Sequence, residues 1–541
     1  MKSILSPPPS FCFDKNAWDI SSLNEKWVKW KQSYEIYSKA CEIDKKPVEI
    51  QETVHKSKLL VGLCLYKYSV LGSAEQPEGT CLSLIQSYNM ISCIYKKMLT
   101  TYLIVFLKSL EKYLEYVFKG NLKDYDETFN LAKKIMKIVG LRMTLNDTKF
   151  ARMGWNLLFW FNFMNVVVSV ILESTNMFLM ASVGTFLDLF TMMPCVGYLI
   201  VVLSKAYRIK CYRSVFENLV YEPRDMWPKG NITEEEHKII TDALGRLRLV
   251  MKVYVFCNAL LANIFSVPPL ISWIESRTDH EKQPILPFFY WLPFDPFVGY
   301  RYEIMFVIQT FHCFLAAGFM LSGDLLFVVF LSHITTHFSL LAIRIKKLLF
   351  VPTDDQLIKS YPLAIYSKLL AKNNDNENSH DLKEKEQMLN EEFISIIHQH
   401  RALIRLSGDV ENMYTFSLLV NFLNSSIIIC FCLFCCAFIE KWSEVTYKLF
   451  FVTAIMQTWM LCWYGQQLLD TSTGVAEALY NCGWYLASKK LKKSILIMIH
   501  RSQKRVYITT YGFSIISLES YSTILKTSWS YFTLLINMYK G

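Results

Sequence analysis

Seven long, mostly apolar stretches constrain this chain more than any other feature: Trp155–Leu172, Phe178–Leu203, Val250–Ile274, Tyr302 to about Leu331, Tyr414–Ile439, Tyr447–Leu469 and Thr510–Met538. A helix crosses the hydrocarbon core of a bilayer with about 20 apolar residues. Inside lipid every backbone N–H and C=O must find a partner within the segment, so such stretches fold as helices. With 52% hydrophobic and only 19% charged residues in 541, most of the chain has the bilayer as its solvent. The fold class that follows is an all-α membrane protein with seven transmembrane helices. Residues 98–107 are too short a run to add another.

The charges between the stretches set an orientation. Lys133, Lys134, Lys137, Arg142, Lys149 and Arg152 precede the first. Lys205, Arg208, Lys210 and Arg213 read as a loop between the second and third, and Arg344, Lys346 and Lys347 follow the fourth. Between the sixth and seventh lie Lys489, Lys490, Lys492, Lys493, Arg501, Lys504 and Arg505. The alternate connections, Glu173-Ser-Thr-Asn176, Glu275–Arg301 and Glu440–Glu444, are short, mixed or acidic. Lys and Arg stay on the cytoplasmic side during insertion, which predicts a cytoplasmic N-terminus and an extracellular C-terminus.

Other classes are excluded on similar grounds. A formal net charge of +10 suits nucleic acid only if the cations share a face, and here they are divided among loops. The fifteen cysteines are scattered, several within the apolar run Cys430-Phe-Cys432-Leu-Phe-Cys435-Cys436, and no paired C-x-x-C spacing marks a metal site or a disulfide framework. No hydrolase, nucleotide or redox motif appears, so neither an enzyme nor a cofactor is expected. His398 and His400 are two apart, cannot face one another on a helix, and read as helix surface. The polar stretch Asn373–Glu392 reads as a mobile loop before a helix that lengthens the fifth span. Asp188, His312, Asp324 and Glu519 are ionisable groups inside apolar stretches and are expected to face the bundle interior or water. Lys526 lies on the face of Glu519.

Residues 1–90 have a different character, with Pro7-Pro-Pro9 and then an amphipathic pattern around Trp27-Val-Lys-Trp30 that ends near Lys46-Pro47. This segment resembles the N-terminal part of retroelement gag-like polyproteins; the alternative is an ordinary cytoplasmic extension. Residues 91–124 form a helical linker, and the membrane domain runs from 125 to 541.

Four groups of residues carry a second resemblance: Ile396-Ile-His398-Gln-His400-Arg-Ala-Leu-Ile, Ala476-x-x-x-Tyr480 with Trp484-Tyr485, Met498-Ile-His500-Arg501-Ser-Gln503-Lys504, and Ile524-Leu-Lys526-Thr-Ser-Trp-Ser-Tyr531-Phe-Thr-Leu-Leu. Together they resemble the insect odorant receptor family over residues 125–541. Gustatory receptors carry Thr-Tyr followed by Gln-Phe in the last helix, and Tyr531 lacks that sequel. The resemblance implies an odorant-gated, non-selective cation channel subunit of the plasma membrane. Its implied partners are a small volatile odorant, olfactory co-receptor subunits in a heterotetramer, and membrane lipid, with no nucleic acid.

The resemblance also places the odorant in the outer halves of the second to sixth spans. The large apolar residues there are Phe178, Met180, Phe265, Trp273, Tyr302 and Met305, with Ile308, Phe431 and Phe434. Gate positions of the family fall on Leu534 and Met538, with polar Asn537 beside them. Ser530, Leu534 and Met538 also share one helix face by their spacing, and a hydrophobic ring gates by dewetting. Competing readings are a gustatory-type receptor, a nonfunctional fusion product, and a secondary transporter. The last calls for matching interruptions in two halves, whereas Pro268-Pro269 has no counterpart.

Overall fold

A computed structural model describes residues 122–142, 148–183, 186–229, 232–278, 284–348, 379–438 and 443–540. The extension to residue 90 and nearly all of the 91–124 linker lie outside the described residues. Ten α-helices appear among the described residues: α1 Leu122–Ile138, α2 Lys149–Val183, α3 Phe186–Cys211, α4 Arg213–Asp225, α5 Glu234–Thr278, α6 Arg301–Leu348, α7 Ser379–Phe438, α8 Ser443–Tyr480, α9 Lys489–Gln503 and α10 Leu518–Lys540.

Six of them, α2, α3, α5, α6, α7 and α8, are long and apolar enough to cross a membrane. A helix that is apolar all round belongs in the centre. Accordingly 89% of the most apolar window of α6 is buried, against 28% for α2 at the edge. Around α6 pack α3, α5, α7 and α8. The seventh expected span, α10, has 23 residues and carries Glu519, Lys526, Ser530 and Asn537 among its apolar residues.

Length separates a membrane layer from a projecting one. At 1.5 Å per residue the 60 residues of α7 extend about 90 Å, three times the hydrocarbon thickness. The C-terminal part of α6 and the N-terminal parts of α5 and α7 therefore leave the bilayer together, and α1 and α4 pack against them. Tyr125, Thr128, Phe129, Ala132 and Met136 form the buried stripe of α1. The Tyr125 hydroxyl donates to the Val220 carbonyl at 2.9 Å, and burial together with the nearby Asp126 carboxylate pushes it up, keeping it a donor. Thr128 Oγ1 lies 2.9 Å from His333 Nε2. His337 Nε2 donates to the Pro223 carbonyl at 2.9 Å, a carbonyl of the last turn of α4. Ion pairs close this layer: Arg224 with Asp126 at 2.8 Å, Lys347 with Glu236 at 2.8 Å, Arg344 with Glu392 at 2.5 Å, and Arg405 with Glu222.

Several expectations are corrected here. The Glu173-Ser-Thr-Asn176 segment is not a turn; α2 runs through it to Val183 and α3 begins only at Phe186. The segment contains no Gly or Pro, and two of its polar side chains find acceptors without interrupting the helix. Thr175 Oγ1 donates to the Ile171 carbonyl at 2.7 Å, and Asn176 Nδ2 to the Phe289 carbonyl at 3.1 Å. Lys205, Arg208 and Lys210 consequently lie within α3 instead of in a loop, and Lys205 is buried. Asp381–Glu392 forms the first turns of α7, because its Leu, Lys, Glu and Gln residues favour helix and Gln387 bonds Glu391 one turn on at 3.0 Å. His400 is buried, its ring edge-to-face with Phe338 and its Nε2 3.5 Å from Ser502 Oγ, while His398 stays exposed.

The last span starts later than its hydropathy suggests. Thr510–Ser517 belongs to a tight hairpin with a bridge between Thr509 and Ile515, its tip formed by Tyr511 at φ 53° and Gly512 at φ 79°. Two side chains of α7 hold the hairpin: Glu411 Oε1 accepts from Thr509 N at 3.1 Å, and Thr415 Oγ1 accepts from Tyr511 N at 2.7 Å. These polar contacts, not lipid, occupy the first third of the apolar stretch.

Candidate functional site

Between α2, α3, α5, α6 and α8 lies a cavity whose empty space, the open mouth included, is about 520 Å3. The aromatic part of its wall consists of Tyr198 from α3, Phe265 from α5, Phe450 from α8, and Phe288 and Tyr290 from the 284–300 segment. That segment covers the cavity because its backbone is tied down. Trp291 N donates to the Leu172 carbonyl at 3.1 Å, and Phe288 N to Gln309 Oε1 at 2.9 Å.

The polar part of the lining consists of Glu173 of α2, Asn258 of α5 and His312 of α6, and Glu173 belongs to a polar stripe of α2. Asn162, Asn165, Ser169, Glu173 and Asn176 recur at helical spacing along an otherwise apolar helix, which brings them onto one face. Asn162, Ser169 and Glu173 are buried. Opposite them on α6 stands His312: its Nδ1 is 2.7 Å from Ser169 Oγ and 3.2 Å from the Tyr290 hydroxyl, and its Nε2 is 3.4 Å from Asn165 Oδ1. Such an arch can orient a small molecule through one or two hydrogen bonds while the aromatic wall supplies dispersion contact.

Below the cavity, toward the projecting layer, is a second polar centre. Asp324 of α6 accepts from Lys205 Nζ at 2.5 Å, from the Tyr254 hydroxyl at 2.6 Å and from Gln457 Nε2 at 2.9 Å. Lys205 and Asp324 are 2% and 1% exposed, so the pair is shielded from solvent on every side. Asp324 thus faces the bundle interior as expected, and so does His312; the side chain of Asp188 lies outside the described residues.

Of the residues singled out for ligand contact, Phe265 alone lines the cavity. Tyr302 and Met305 are buried but do not line it, with the Tyr302 hydroxyl within hydrogen-bond distance of the Pro269 and Ile285 carbonyls at 3.0 and 2.9 Å. The Trp273 ring carries the Arg277 guanidinium 5.0 Å above it. Phe431 and Phe434 form a separate aromatic cluster with Phe190, and Phe434 also meets Phe438 and Tyr539. Phe178 and Ile308 are exposed on the bundle perimeter, and Met180 is half-buried on the last turn of α2. Sequence reasoning missed Glu173, Tyr198, Asn258, Phe288, Tyr290 and Phe450. The polar stripe of α2 was the signal available for Glu173.

The last helix packs on α7 and α8 with Ile524 and Ser528 inward. Its outer face carries Lys526, Ser530, Leu534, Asn537 and Met538, and Leu534 and Met538 are 58% and 73% exposed. Glu519 is exposed as well.

These features define a multi-pass helical membrane protein with a covered cavity of aromatic and polar lining in its bundle. The chain belongs to the odorant receptor family: the family described as 7tm Odorant receptor matches residues 185–529, well over half of its length. Odorant receptor 85b of Drosophila melanogaster is 25% identical over 411 residues, covering 74% of this chain and 96% of the relative. Odorant receptor 67c of the same species is 28% identical over 357 residues, covering 64% and 79%. The insect olfactory receptor OR5 from Machilis hrabei, solved in complex with eugenol, superposes with a TM-score of 0.62 at 14% identity over 77% of this chain and all of that one. At that identity the likeness speaks for the fold. The chain is thus a chemosensory membrane protein of the insect olfactory type.

Proposed function

We propose that the protein is the ligand-specific subunit of an odorant-gated, non-selective cation channel in the plasma membrane, assembled with the olfactory co-receptor. The observation that carries the reading is the covered cavity among α2, α3, α5, α6 and α8, lined by both aromatic and polar side chains. Phe265 contacts the odorant, and Tyr302 supports the covering segment through the Ile285 carbonyl. The Machilis hrabei receptor, of similar fold, has been solved with eugenol bound.

The orientation follows from charge. Lys and Arg are concentrated in the projecting layer and on α9, which puts that layer and the N-terminus in the cytoplasm and the C-terminus outside. The outer face of α10 then supplies the pore, with Leu534 and Met538 as the hydrophobic constriction and Asn537 as a polar neighbour. An exposed face bearing both large apolar and polar side chains is suited to symmetry-related neighbours around a water-filled path.

The test is current recorded from cells expressing the full chain with and without the co-receptor, against a panel of volatiles. Evoked inward current that requires both subunits and disappears when external cations are replaced by an impermeant one is expected. Ligand responses that persist unchanged in the absence of permeant cations would sink the channel reading.

A further inference from the structure

We propose that the cavity is selective for a small volatile amine, held through its nitrogen by the Glu173 carboxylate; this rests on reading the cavity as the odorant site. Glu173 lines the cavity and is 1% exposed, and its Oε2 is buried without a hydrogen-bond partner. The rest of the polar arch is occupied with itself, since His312 is shared among Ser169, Tyr290 and Asn165. A second buried oxygen on the cavity wall, Asn258 Oδ1, is also without a partner, its amide nitrogen being spent on the Tyr254 carbonyl.

Both open atoms are acceptors, and no Lys or Arg lines the cavity. The missing complement is a group that donates hydrogen bonds and carries positive charge. An ammonium has donors only, and one bound at Glu173 Oε2 satisfies a carboxylate that is otherwise costly to bury. If the carboxyl enters the complex protonated and the amine neutral, the proton moves from Oε2 to the nitrogen lone pair and the same ion pair results. The aromatic wall favours a cation as well, through the negative faces of its rings.

Other ligand classes fit less of this. An alcohol brings one donor and no charge, and a hydrocarbon leaves both oxygens unpaired. A carboxylic acid sets a second carboxyl against the first, and two such groups in one site cannot both ionise freely.

Three probes of one shape test the assignment: 2-phenylethylamine, 2-phenylethanol and propylbenzene, applied to the full chain with the co-receptor. The amine is expected to be the most potent by about tenfold or more over the alcohol, which is the spread between a charge-assisted and a neutral hydrogen bond. Glu173→Gln is expected to lower the amine-to-alcohol potency ratio about thirtyfold or more, the factor for breaking a buried charge pair. Glu173→Asp, which keeps the charge, retains the amine preference.

Ligand-induced thermal stabilisation of the purified chain reads binding apart from gating. Amine-selective stabilisation without current supports this assignment and counts against the channel reading. Equal potency or equal stabilisation by the alcohol or the hydrocarbon in the wild type overturns the assignment alone. So does a Glu173→Gln variant that shifts amine and alcohol alike. If that variant fails to reach the surface, the wild-type ligand order and Glu173→Asp decide. Absence of both current and stabilisation with all three probes overturns the assignment.

Discussion

Removing the carboxylate of Asp324 should destabilise the bundle more than almost any other single change. Asp324 accepts from three buried donors, Lys205, Tyr254 and Gln457, at 2.5, 2.6 and 2.9 Å. In Asp324→Ala the Lys205 ammonium, 2% exposed, is left without its counter-charge, and breaking a buried pair by deleting one partner costs about 3–5 kcal/mol. Two neutral donors lose their acceptor in addition, at roughly 1 kcal/mol each. Neighbouring geometry restricts the escape of the lysine. Its aliphatic stem runs against Gly323, where a Cβ would already stand 3.1 Å from it, and its Nζ lies 3.3 Å from Met320 Sδ.

The pairing can be isolated by a double-mutant cycle. Lys205→Met leaves a buried carboxylate and should cost a similar amount, whereas Lys205→Met with Asp324→Leu removes both charges and should return to within about 2 kcal/mol of the wild type. Thermal unfolding of the four proteins in one detergent, read by tryptophan fluorescence, gives the comparison, with surface expression as a cellular counterpart. The wild type and the double variant should melt well above either single variant. A double variant whose loss equals the sum of the single losses would show that Lys205 and Asp324 are not paired, and the argument for this centre would fail.

Two further outcomes concern the hairpin and α10. Gly465→Ala places a Cβ 2.4 Å from the Ile516 carbonyl oxygen, a backbone atom that cannot yield without moving the hairpin, so a lowered melting temperature and reduced surface expression are expected, and an unchanged melting curve contradicts that contact. Leu534→Ser should raise ligand-free current by wetting the constriction; whole-cell recording without ligand checks it, and an unaltered baseline with normal expression counts against a gate at this position.

The apolar stretches were legible as helices because length and composition alone decide that a chain segment crosses a bilayer. Their ends were not. Reading Glu173-Ser-Thr-Asn176 as a turn started α3 eight residues early, a displacement of about 12 Å at 1.5 Å per residue. That is enough to carry Lys205 from the bundle interior into an imagined loop. The polar residues did not mark a chain reversal; they marked the side of α2 that meets a cavity. Asp324 was visible as an intramembrane acid, but its partner lies 119 positions away and no local pattern joins the two.

The candidate site was less legible for the same reason. Size and aromaticity select residues such as Phe178, Phe431 and Phe434, yet whether a large apolar side chain faces a cavity, a neighbouring helix or the perimeter depends on helix rotation, which packing sets. In α10 both faces mix polar and apolar residues, so periodicity cannot choose between them. The choice is made by fit: Ser528, 0% exposed, is small enough to let α10 settle close against its neighbours, and its hydroxyl turns back to the Ile524 carbonyl at 2.8 Å. With Ile524 and Ser528 turned inward, Ser530, Leu534 and Met538 must point away from the subunit that carries them.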